Sequence, residues 1–166
     1  MTRQIIPWPD QRLRTAADVV DAITDDIREI WDSMVDVMEA MPGVGLAAPQ
    51  IGCMFRLAVV DASQDRGQVV RMANPVVLHA SAKMRSHQEA SPNLPGVSAL
   101  IERPRAVTVQ FLNAEGQLEQ RDFVGLWATS AQHQIDHVNG RMYFERLSKV
   151  KRQMLLKKAQ KTGRSR

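Results

Sequence analysis

His133-Gln134-Ile135-Asp136-His137 is the stretch whose residue types and spacing come closest to chemistry. Two histidines four apart on a helix share a face, about one turn apart, and can both reach a single metal ion. In hydrolases built this way the residue after the first histidine is a glutamate, the general base for a metal-bound water. Here it is Gln134, and a carboxamide does not accept a proton at useful pH. The pattern therefore reads as a hydrolytic metal centre without its base. A solvated or hydrogen-bonded histidine pair is the plainer reading of the same spacing.

A second stretch runs from Gly43 to Gly52, Gly-Val-Gly-Leu-Ala-Ala-Pro-Gln-Ile-Gly. Its small residues let backbone approach a ligand closely, and Gln50 carries an amide donor suited to a developing oxyanion. A tight core turn capped by Gln50 is the alternative.

The elements that must carry these residues follow from periodicity. Asp18 to Met41 reads as a long helix, with Ile23, Ile27, Ile30, Met34, Val37 and Met41 at spacings of three and four and Asp18 as N-cap. Pro42-Gly43 ends it. Phe55 to Asp61 and Val69 to His79 read as strands, the second interrupted at Asn74-Pro75. Ser86 to Pro95 is polar and turn-rich and reads as loop. Ala106 to Leu112 alternates, with Val107, Val109 and Phe111 on one face, and Asn113 to Gly116 turns the chain into a strand over Gln117 to Val124. Leu126 to Val138 reads as the helix that bears both histidines, closed by Asn139-Gly140. A basic helix follows from Ser148 to about Lys161. Strands between separated helices predict an α+β domain, with the second helix a core element.

Bulk properties narrow the class. The 166 residues suit one domain and one good core, read as 1–148 with a basic C-terminal helix or tail at 149–166. No apolar run reaches the roughly 18 residues of a membrane span, and the start lacks signal-peptide order, so a cytoplasmic protein with no membrane role is expected. Cys53 is the single cysteine, which rules out an intrachain disulfide and a multi-cysteine metal site. It reads as a small buried residue rather than a replacement ligand. The net charge of +4 hides an asymmetry: Lys149 to Arg166 holds eight basic residues and no acidic one, while the rest holds 14 basic and 18 acidic. Such a tail is suited to phosphate backbones, or is simply a solvated helix end. His79 and His87 read as solvent-facing, Trp31 and Trp127 as core, and the nine methionines as gap-fillers.

Taken together, the segments resemble the peptide deformylases along nearly the whole chain. The first family motif, Gly-x-Gly-Leu-Ala-Ala-x-Gln, is intact at Gly43 to Gln50; the third, Gln-His-Glu-x-Asp-His, stands as Gln132 to His137; the second, Glu-Gly-Cys-Leu-Ser-x-Pro, aligns with Glu89-Ala90-Ser91-Pro92-Asn93-Leu94-Pro95. The resemblance implies antiparallel sheets around a central helix and hydrolytic removal of the formyl group from the initiating methionine of nascent polypeptides. It places Gln50, Gly45, Leu46 and the Gln134 position in the catalytic set, and Gly43, Val44, Gly45, Pro92 and Asn93 around the substrate. It implies ferrous iron on a cysteine and on His133 and His137, with Glu89 and Arg103 as a structural ion pair.

Three positions depart from the pattern. Ser91 replaces the thiolate ligand, and a hydroxyl is a poor ligand unless ionised. Gln134 replaces the general base, worth typically about 10²–10⁴-fold. Pro92 replaces the residue whose backbone N–H would bind the formyl oxygen, and proline has none. The expected protein is therefore a monomeric deformylase relative impaired in turnover. It binds Fe²⁺ or Zn²⁺ weakly or not at all and acts by binding formyl-Met nascent peptide, or the ribosome and its RNA through the basic helix. An active or altered metal-dependent amide hydrolase, with another group completing the metal shell, is the alternative.

Overall fold

A computed structural model of the chain describes residues 3–164. Among the described residues there are three α-helices, α1 (Asp25–Ala40), α2 (Leu126–Val138) and α3 (Lys149–Arg164). Seven strands accompany them: β1 (Gly45–Ala47), β2 (Leu57–Val60), β3 (Val70–Ala80), β4 (Met84–Ser91), β5 (Leu94–Pro104), β6 (Ala106–Leu112) and β7 (Leu118–Val124). Every strand pair is antiparallel: a five-stranded sheet in the order β1-β2-β3-β6-β7, and a separate β4-β5 ribbon. The α+β class expected from the sequence is the one found.

Helix α2 sits at the centre. Eleven of its thirteen residues, Ala128 to Val138, are buried. Its Ala128, Ala131 and Ile135 pack with Val107, Val109 and Phe111 of β6 and Phe123 of β7, the alternating face legible in the sequence. On the opposite side α1 buries Ile27, Ile30, Trp31, Met34 and Met38 against Leu46, Leu57 and Val59. A third core joins β5 to α3 and the chain after α2 through Leu94, Ile101, Tyr143, Phe144 and Leu155. Among the described residues no helix is long and apolar enough to cross a membrane.

Four local readings need correction. Helix α1 starts at Asp25, not after Asp18, because Thr24 caps it, its hydroxyl accepting from Ile27 N–H at 3.3 Å. Asp18 instead pairs laterally with the 54–56 backbone, which uses its N–H and C=O. Strand β3 is not interrupted at Asn74-Pro75. Asn74 adopts φ 52° at a register shift and clasps Val20 N–H and C=O with its side chain at 2.9 and 2.8 Å, so the ladder resumes beyond it. The polar stretch 86–95 is not loop but most of the β4-β5 ribbon, turned at Pro92-Asn93. The ribbon is open to solvent over much of β4, so its residues lack the apolar alternation that marks a strand. Trp31 is core as expected, but Trp127 and Cys53 are only half-buried.

Candidate active site

A cleft of about 500 Å³ opens between the Gly43–Gly45 segment, the ribbon end at Ala90–Pro92, and α2. Its walls include Gly43, Val44, Gly45, Gln50, Ser91, Pro92, His133 and Gln134, so the three motifs, far apart in sequence, meet in space. His87, half-buried, also lines it. Asn93 does not line it; it is 1% exposed and lies behind the wall. Leu46 is fully buried in the α1 core.

Helix α2 and strand β1 meet closely because residue 45 is glycine. A methyl group built there would lie 2.5 Å from both Gln134 Nε2 and Ser130 Oγ. Ser130 in turn donates to Val44 C=O at 2.8 Å, fixing the helix against the cleft wall. Gln134 is 4% exposed, and its Oε1 has no hydrogen-bond partner.

The histidines are held from behind. Arg103, fully buried, grips Glu89 with two hydrogen bonds of 2.6 and 2.9 Å and reaches Asp136 at 2.9 Å. Arg146 closes the set on Asp136 at 2.8 and 2.9 Å. Glu89 Oε1 then accepts from His133 Nδ1–H at 2.8 Å, which leaves His133 Nε2 as a lone pair. His137 Nε2 stands 3.2 Å from it and donates, leaving its own buried Nδ1 without a partner. Burial opposes charge on Glu89, but the hydrogen bonds from His133 and Arg103, with the Arg103 charge, outweigh it and hold its carboxyl at about 2. Burial, then the neighbouring His133 and Arg103, push His137 well below its ordinary value, so it stays neutral. Burial, then Glu89, raises the Tyr143 phenol, stacked on His133, to about 12. The Glu89–Arg103 ion pair is thus present and buried. Asp136 and Arg146, which no sequence reading singled out, belong to the same array; the Asp in the third motif was the available signal.

Acid sensitivity follows. The unfolded chain protonates His137 from about pH 6.5 downward while the folded chain resists, so stability starts to fall there. The Glu89 contribution is full above its ordinary 4.5 and is lost as pH falls toward its folded value of about 2. That second step is worth about 3 kcal/mol. The urea midpoint should decline from pH 7 to 5 and more steeply from 4.5 to 2.5; a flat profile over that range would contradict the buried array.

The donors expected to face a substrate oxygen are tied up. Gln50 Oε1 accepts from Ala47 N–H at 2.9 Å, and its Nε2 donates to Asn93 Oδ1 at 2.8 Å. Ser91 Oγ also donates to Asn93 Oδ1, at 3.0 Å, and lies 3.4 Å from Gln50 Nε2. Asn93 Nδ2 anchors the knot to Ile6 C=O and Gln50 C=O at 2.7 and 3.0 Å. A Ser91 hydroxyl used in this way is a weak metal donor. Among the described residues no group of three or more His, Cys, Asp or Glu could hold a metal ion. His133 and His137 converge, but the residues present do not fit a three-ligand metal centre.

A family model for polypeptide deformylase matches residues 2–153. The chain belongs to the peptide deformylase family. It is 36% identical over 164 residues to the peptide deformylase of Afipia carboxidovorans, covering 98% of this chain and 96% of that one. The crystal structure of a peptide deformylase from Legionella pneumophila superposes with a TM-score of 0.91 at 34% identity, covering 99% of this chain and 96% of the other. That from Ehrlichia chaffeensis gives 0.90 at 30% identity, covering 99% and 98%. The deformylase fold is therefore kept over nearly the whole chain, around a site whose donors are arranged as described.

Proposed function

We propose that this deformylase-family protein retains a cleft for N-terminal formyl-Met peptide but turns it over poorly, and that it works by binding. The observation that carries this reading is the Gln50–Ser91–Asn93 knot: the Gln50 amide and the Ser91 hydroxyl, both on the cleft wall, donate to Asn93 Oδ1. Pro92, between Ser91 and Asn93, offers no N–H. Gln134, beside His133, cannot move a proton from water to a leaving amine. The family assignment supports a peptide with a formylated methionine as the ligand class.

The 3.2 Å approach of His133 and His137 Nε2 favours a second reading, a metal-dependent amide hydrolase with an unidentified third ligand. Metal content separates the two. Protein purified without added metal should hold far less than one Fe²⁺ or Zn²⁺ per chain, and chelation should leave its melting temperature unchanged; a stoichiometric metal whose removal destabilises the fold would favour the hydrolase. We place the protein in the cytoplasm as a monomer, with α3 as a contact for ribosomal RNA. Seven basic residues and no acidic one lie along that helix. Ribosome co-sedimentation that falls steeply with salt would support the contact, and none at low salt would remove it.

A further inference from the structure

The cleft wall at Gly43 and Val44 precedes the first sheet ladder, since β1 starts only at Gly45. Its carbonyls need partners from elsewhere. Val44 C=O accepts from Asp61 N–H at 3.0 Å and from Ser130 Oγ at 2.8 Å. Gly43 C=O accepts from Arg66 Nη2 at 2.7 Å.

Arg66 is not in any of the three motifs, and the loop that carries it, between β2 and β3, does not line the cleft. The loop is built to aim it. Asp61, fully buried, accepts from Ser63 N–H at 3.0 Å and from Gln68 N–H at 3.1 Å and draws the loop into a knot. Within that knot Arg66 has φ 61° and Gly67 φ 78°. Left-handed backbone is strained for a long side chain, and is kept where the surroundings over-determine it. The surroundings are the contacts of the guanidinium. Nη1 donates to Asp61 C=O at 2.9 Å, and Nε and Nη2 meet the Glu39 carboxylate at 3.2 and 3.1 Å. One side chain thus joins the end of α1, the 61–68 loop and the cleft wall.

We infer that Arg66 is a positioning residue for the cleft: it ties the Gly43 end of the wall to α1 and the 61–68 loop, beside the Ser130–Val44 bond that sets the distance to α2, in the shape that ligand binding requires. The Glu39 pair alone, with side chains 30% and 40% exposed, would be worth little. The bond to the Gly43 carbonyl is what reaches the site. The binding readout rests on the reading of the cleft as a peptide site; the exchange readout does not.

The test compares Arg66→Asn with Arg66→Lys in the full chain. Asparagine tolerates left-handed backbone, so Arg66→Asn removes the guanidinium without added strain. Backbone amide exchange over residues 43–47 should accelerate about tenfold or more in Arg66→Asn, while exchange in α2, β3 and β6 stays as in the parent protein. Affinity for formyl-Met-Ala-Ser should weaken about tenfold, with Arg66→Lys intermediate because it keeps charge without the fork. Unchanged exchange at 43–47, or a rise spread evenly over the sheet and α2, would overturn the inference. If the parent protein binds no peptide, the functional reading fails and exchange alone decides the role of Arg66.

Discussion

Replacing Ser91 by Cys, Pro92 by Leu and Gln134 by Glu in one protein, with Fe²⁺ supplied, is expected to raise kcat/KM for a formyl-Met peptide by at least about 10²-fold over the parent chain. The three substitutions return a soft metal donor, a backbone N–H beside the substrate oxygen, and a group able to move a proton. Each single reversion should gain little, because such groups act as a unit and the site still lacks the others. Asn93 sets a further condition. Its Oδ1 holds the Gln50 amide at 2.8 Å, so adding Asn93→Ser, the residue of the family motif, should give about another tenfold by freeing that donor. Loss of the Asn93 tethers to Ile6 and Gln50 C=O should lower the melting temperature of that variant, which calorimetry would record. No gain from the triple variant despite stoichiometric metal would mean that the cleft itself has changed.

Arg103→Ala is the substitution with the largest expected effect on stability. It would leave Glu89 and Asp136, 4% and 7% exposed, as buried carboxylates without their shared cation. Breaking a buried ion pair from one side costs about 3–5 kcal/mol, and a chain of this size loses roughly 2–4 °C per kcal/mol. A fall of about 6–20 °C in melting temperature is therefore expected, with Arg103→Lys recovering part of it. The loss should also release His133, whose Nδ1 is fixed only through Glu89. A fall under about 3 °C would show that the array is dispensable.

The residues that meet in the cleft were legible because their motifs are compact. The α2 histidines need only helical spacing, and the Gly43–Gln50 string carries its own turn chemistry. The alternation of β6 and the turn at Asn113 to Gly116 were equally plain, since one face of that strand is buried in the core. What stayed hidden depends on long-range contact. The β4-β5 ribbon is held by its pairing and by its packing on α2 and α3 rather than by an apolar pattern, so its sequence looks like loop. Asn93 reads as a turn residue, yet its side chain bridges Ile6, Gln50 and Ser91, partners up to 87 positions away. Arg66 looks like a surface charge until the Asp61 knot aims it. Helix α1 begins at Asp25 because the Asp18 backbone is engaged by the 54–56 segment, which leaves the cap to Thr24.

On the proposed function, the fold and cleft of a deformylase persist without its reactive centre. This is tested most directly by adding formyl-Met-Ala-Ser to the purified chain, supplied with excess Fe²⁺ under anaerobic conditions, and measuring bound peptide and released formate in the same samples. Saturable binding is expected, with formate release at least about 10³-fold slower than that of a deformylase relative run alongside. Formate release at a rate comparable to the relative's would contradict it.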